Sequence, residues 1–128
     1  MNRYMLLLWG GGEKMGRMSP EEIQAHMKKW TAWMEGLARK GIWDGGEPLG
    51  SEARRLTGAR APVTDGPYTE AKEAVSGYVI LKADTIEQAC EISRGCPLFE
   101  IDGVVEVRPV RAMEDANGGF TRTFRGGS

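Results

Sequence analysis

Apolar positions along the chain follow two rhythms, one suited to strands and one to helices. Tyr4-Met5-Leu6-Leu7-Leu8-Trp9 is apolar at every position, which predicts a strand covered on both faces. Gly10-Gly11-Gly12 ends it abruptly. From Ser19 the rhythm changes: Ile23, Met27, Trp30, Met34 and Leu37 recur at spacings of four and three, the stripe of a helix that faces a sheet. Ser19 suits the N-cap, Pro20 the first helical position and Glu22 a capping box, so this helix is expected to run to about Lys40 and to close at Gly41. His26 and Trp33 fall on one flank of the stripe, near its border with solvent. The glycine loop carries no phosphate-binding signature. A P-loop needs Gly-Lys-Ser/Thr opening a helix, whereas Glu13 and Lys14 follow the glycines here and the helix is expected only after Met18.

Ile42-Trp43 suggests a short strand or edge segment, Asp44-Gly45-Gly46 a loop, and residues 49–63 an exposed hairpin turning near Gly58-Ala59. Asp65-Gly66-Pro67 then forces a turn, with Gly66 suited to positive φ. Thr69, Glu70 and Glu73 open a helix of one or two turns, and Gly77 ends it before the strand Tyr78-Val79-Ile80-Leu81. Asp84-Thr85-Ile86-Glu87 reads as a second helix start, with Ile86, Ala89, Cys90 and Ile92 as the buried face and Gly95 as the end. A connector through Cys96-Pro97, Leu98, Phe99 and Ile101 leads to a last strand from Val104 to Val110. The expected domain spans residues 1–113, and residues 114–128 read as a flexible tail.

The central stretch Asp65-Gly66-Pro67-Tyr68-Thr69-Glu70-Ala71-Lys72-Glu73, followed by Gly77-Tyr78, resembles the signature of the YCII-related proteins, DGPF-domain subgroup, whose members carry Phe where this chain has Tyr68. The likeness extends over residues 3–113, through Val105-Glu106-Val107-Arg108-Pro109-Val110. It implies an α+β, ferredoxin-like split β-α-β domain with a four-stranded antiparallel sheet that dimerises into an α+β barrel. It also implies no settled activity, an association with extracytoplasmic-function sigma factors, and, from the wider family, an acid-base couple of a first-helix histidine with an aspartate. Counted back from Gly41, that histidine position falls nearer Trp30, one turn after His26.

The residues themselves support a homodimer. Helices of a split β-α-β unit lie on one sheet face, yet both faces of the two central strands are apolar, so a second copy is expected to cover the other face. A formal net charge of −1 without a basic stripe argues against nucleic acid. The first apolar run is too short for a signal-peptide core and nothing approaches a membrane span, so a cytoplasmic location is expected. Cys90 and Cys96 match neither a redox nor a zinc spacing and read as reduced thiols, no metal set is expected, and no cofactor motif is present.

Two functions are therefore in view. The first is a small-ligand-binding dimer, with scope for cofactor-independent, lyase-like acid-base chemistry by His26 and Asp65, although a capping and turn-forming role explains Asp65 without any ligand. Ligand contacts are expected from Trp30 and Trp33 as pocket wall, from Tyr68 and Lys72 one helical turn apart, and from Glu106 and Arg108, which share a strand face and alternatively pair or meet a partner subunit. The second is a non-catalytic regulatory protein associated with a sigma factor through a segment around Phe120, Arg122, Phe124 and Arg125.

Overall fold

In chain order, β1 (Asn2–Trp9) leads through a one-turn helix, α1 (Gly12–Met15), to the long α2 (Pro20–Arg39) and to β2 (Trp43–Pro48). A short pair, β3 (Arg54–Arg55) and β4 (Thr64–Asp65), precedes β5 (Val75–Ala83) and α3 (Ile86–Ser93). A 3₁₀ helix (Pro97–Ile101), β6 (Val104–Pro109) and the two-residue ladder of β7 (Met113–Glu114) with β8 (Phe120–Thr121) complete the order. This computed structural model describes residues 1–65, 74–114 and 120–121.

The main sheet has four strands in the order β2-β5-β1-β6, every neighbouring pair antiparallel. Strand β5 lies between β1 and β2, the two strands that α2 connects, which is the split β-α-β arrangement of the ferredoxin-like α+β class. Register fixes the faces. Leu6 stands opposite Val79 and Val107, and Tyr4 opposite Leu81. Because side chains directly opposite one another share a face, these residues form one apolar layer. Leu6 and Leu81 are fully buried there beside Ala89 of α3, with Trp30, Trp33 and Ile92 packed against the cluster. Both long helices therefore cover the same face. The other face carries Met5, Leu7 and Trp9 of β1 and Tyr78 and Ile80 of β5, all half-buried in the single chain.

Local chemistry explains the helix ends. Ser19 Oγ accepts from Glu22 N at 3.1 Å while Glu22 Oε1 accepts from Ser19 N at 2.8 Å, the expected capping box. The backbone hydrogen bond from Ser19 is the main reason the Glu22 carboxyl is held below its ordinary value. Gly41 follows at φ 73, a left-handed conformation that stops the helix at no Cβ cost.

Several details depart from expectation. The glycine loop opens a helical turn at Gly12, ahead of α2, because Met15 N and Gly16 N donate to Gly11 O and Gly12 O. Asp44-Gly45-Gly46 is part of β2, whose pairing with β5 shifts register between Trp43 and Gly46. Such a bulge absorbs Gly45 at φ 118 and turns Asp44 to meet Arg3 Nε at 2.7 Å. In α3 the third helical position is Gln88, and its Oε1 accepts from Asp84 N at 2.6 Å while Thr85 Oγ1 caps Gln88 N. Ala89 and Ser93 form the buried face of α3, and Ile86 is exposed. The expected 49–63 hairpin is reduced to Arg54 and Arg55 paired with Asp65 and Thr64. The short helix expected from Thr69, the glycine turn at Gly66, and the terminal Arg122, Phe124 and Arg125 lie outside the described residues.

Candidate functional site

A cavity of about 390 Å³ opens between α2 and the helix-covered face of the sheet. Its size falls within the range of small-molecule sites, roughly 300–1,000 Å³. From α2 come Met27, Trp30 and Met34, and from β2 come Trp43 and Gly46; α1 adds Met15, and Leu98 and Ile101 of the 3₁₀ helix close the far side. Gly10, Gly11 and Gly12 complete the rim.

Two glycines shape this space. A Cβ on Gly46 would stand 2.8 Å from Tyr78 O and 3.0 Å from Trp43 Cη2, so only the missing side chain lets the Trp43 ring lie over β2. Gly11 has φ 92, and a Cβ there would stand 2.7 Å from Ile101 Cδ1. The loop after β1 can therefore pack directly on the 3₁₀ helix.

Behind the cavity wall lies a polar network. His26 is 3% exposed, in contrast to the solvent-border position expected from helical spacing. Its Nε2 accepts from Trp30 Nε1 at 2.9 Å, and the two rings meet edge-on at 83°. An indole N–H is a donor only, so this bond places the imidazole proton of neutral His26 on Nδ1. That atom faces Glu100 Oε2 at 3.7 Å, and the other Glu100 oxygen accepts from Lys29 Nζ at 2.8 Å. The Lys29 hydrogen bond is the main influence holding the Glu100 carboxyl below its ordinary value. Trp33 stands edge-on to Trp30, centroids 5.8 Å apart, and its indole lies against Gly95, whose Cβ would come within 3.0 Å of Nε1. Trp30 is thus braced from two sides.

Of the residues singled out in the sequence, the fold brings His26, Trp30 and Trp33 together, with Trp30 alone on the cavity surface. Glu106 and Arg108 stand opposite Leu7 and Met5, on the sheet face away from the cavity, and Glu106 Oε1 accepts from Trp9 Nε1 at 3.2 Å. Asp65 pairs through its backbone with Arg54, while Tyr68 and Lys72 lie outside the described residues. Sequence reasoning missed Trp43, Met15 and the structural use of Gly46. No local signal marked Trp43 and Gly46, because the register shift between them is what brings both to one face of β2.

Burial pushes the Cys96 thiol up to about 11, with a backbone hydrogen bond at Leu98 opposing the shift, so this sulfur stays protonated near neutrality. Among the described residues no three His, Cys, Asp or Glu side chains gather as a metal ion would require. No helix among them is long and apolar enough to cross a membrane.

The chain is similar to 5-chloro-2-hydroxyhydroquinone dehydrochlorinase (TftG) from Burkholderia phenoliruptrix AC1100, solved in complex with 2,5-dihydroxybenzoquinone. The TM-score is 0.44 and the identity 15%, over 91% of this chain and 98% of that one. No curated protein matches the sequence. The description of the YCII-related domain matches residues 3–114, nearly the whole described fold, and the chain therefore belongs to the YCII-related family.

Proposed function

We propose that the protein is a small-molecule-binding domain whose site is the cavity between α2 and the sheet. The observation that carries this reading is the cavity itself, walled by two tryptophans and three methionines and backed by a hydrogen-bonded brace on Trp30. Large aromatic and thioether side chains around an open volume give a ligand many dispersion contacts, and the brace lowers the ordering cost of binding.

The arrangement favours binding over turnover. His26 Nε2 is occupied by the Trp30 N–H, so lyase-like proton transfer requires His26 to exchange Trp30 for a substrate proton. The biological unit in this proposal is a homodimer through the open sheet face, where Met5, Leu7, Trp9, Tyr78 and Ile80 gain cover from a second copy.

Thermal-shift screening with small aromatic and acidic metabolites tests the reading, since a molecule that binds only the native state raises the melting temperature. At least one compound is expected to stabilise the native protein. It should not stabilise Met27→Trp, in which a larger side chain narrows the mouth at a position already 43% exposed. A screen without a stabilising compound, or hits unaffected by Met27→Trp, would overturn the proposal.

A further inference from the structure

We infer that the cavity selects a neutral, planar, apolar molecule and rejects charged analogues of the same shape; this rests on the binding role proposed above. The inference comes from where the strand register sends the charges. Among the described residues on the cavity boundary, Glu47 has the only formally charged side chain. It stands directly opposite Tyr78, which in turn stands opposite Leu7, on the face that α2 does not cover. Glu47 and Tyr78 therefore border the cavity through backbone atoms, with their polar groups directed to the other side of the sheet.

Among the described lining residues, the helix side carries no charged side chain. Lys29 donates to Glu100, Trp30 donates to His26 Nε2, and none of Lys29, Glu100 and His26 is part of the cavity surface. Ser76, on the rim, already donates its hydroxyl to Leu8 O at 3.3 Å. Among the described residues, no buried side-chain nitrogen or oxygen lacks a hydrogen-bond partner. A carboxylate or ammonium entering this space would give up its hydration and find, among the described side chains that line it, no opposite charge and no idle donor, a loss that stacking on Trp30 and Trp43 does not return. A flat uncharged ring meets the same walls without that cost.

Calorimetric titration of the full chain with indole, indole-3-acetate and tryptamine at neutral pH separates the possibilities, because the three share one ring and differ in charge. Indole is expected to bind at least ten times more tightly than either charged compound. Met27→Lys, which places an ammonium at the exposed mouth, is expected to narrow or reverse the gap between indole and indole-3-acetate. If indole-3-acetate or tryptamine binds the native protein as well as indole, the selectivity inference fails while the binding role stands. If Met27→Lys leaves both affinities unchanged, the indole site is elsewhere and the inference fails. If none of the three binds, the inference fails, and the thermal-shift screen with Met27→Trp alone decides the cavity reading.

Discussion

Trp30 donates its indole N–H to His26 Nε2 at 2.9 Å, joining two side chains one helical turn apart, one on the cavity wall and one buried behind it. Removing the acceptor leaves a part-buried donor without a partner. His26→Leu is therefore expected to lower stability by about 1–3 kcal/mol in urea denaturation, and His26→Gln, which keeps an acceptor, by less.

Glu100 gives the acid side of the stability curve a defined contributor. Its carboxyl is held low mainly by the Lys29 hydrogen bond, opposed by desolvation and reinforced by the charges of Lys29 and protonated His26. A depressed carboxylate stabilises the fold fully above its unfolded pKa, and that stability is lost as pH falls through the folded value. Glu100→Gln is expected to flatten the acid limb of melting temperature against pH, leaving its shape above the carboxylate range unchanged.

Two glycine substitutions should act in opposite directions. Gly46→Ala drives a Cβ against Tyr78 O and the Trp43 ring, at an expected cost of about 1–3 kcal/mol, and it weakens any cavity ligand. Gly36→Ala, in the body of α2 with nothing within 4 Å of the added carbon, is expected to stabilise by about 0.5–1 kcal/mol. Chemical denaturation of both variants checks the pair.

Thiol labelling should find Cys96 silent in the native state. It is 3% exposed and its pKa is raised to about 11, so iodoacetamide at pH 8 is expected to modify it only when denaturant is added. Mass spectrometry of the peptide carrying Cys96 reads this directly.

The open sheet face predicts a dimer in solution. Light scattering at micromolar concentration is expected to give twice the chain mass, and Leu7→Lys, a charge at the centre of that face, to halve it. Leu7 points away from the helices, so the variant should keep its native circular dichroism.

The fold was legible where one local signal had one structural solution. The capping box at Ser19 and Glu22 could be read directly, as could the unbroken apolar runs of β1 and β5, because caps and doubly covered strands require particular residues at particular positions. The site was less legible because it depends on burial and on distant packing. Helical spacing put His26 beside Trp33 on a flank, but only the docking of the 3₁₀ helix and of Gly95, after α3, covers that flank, while Met27 is left at the cavity mouth. Trp43 and Gly46 were hidden by the bulge in β2, which turns an apparent loop into cavity wall. Glu106 and Arg108 were placed correctly on a common strand face; tertiary structure decides that this face lies away from the cavity.

The position of β1 between β5 and β6 bears on how the chain comes into being. Tyr4 takes its strand neighbours from Leu81 and Pro109, so β1, the first strand of the sheet to be made, acquires its last neighbour only when the sheet's final strand has followed. During that interval Leu6, Leu8 and Trp9 travel as an unpaired, sticky edge, the kind of segment that aggregates or is held by chaperones. Bringing such distant partners together also slows the search for the native arrangement. Birth of this sheet accordingly waits on its last strand: synthesis delivers the parts in order, and pairing is complete only when β6 arrives.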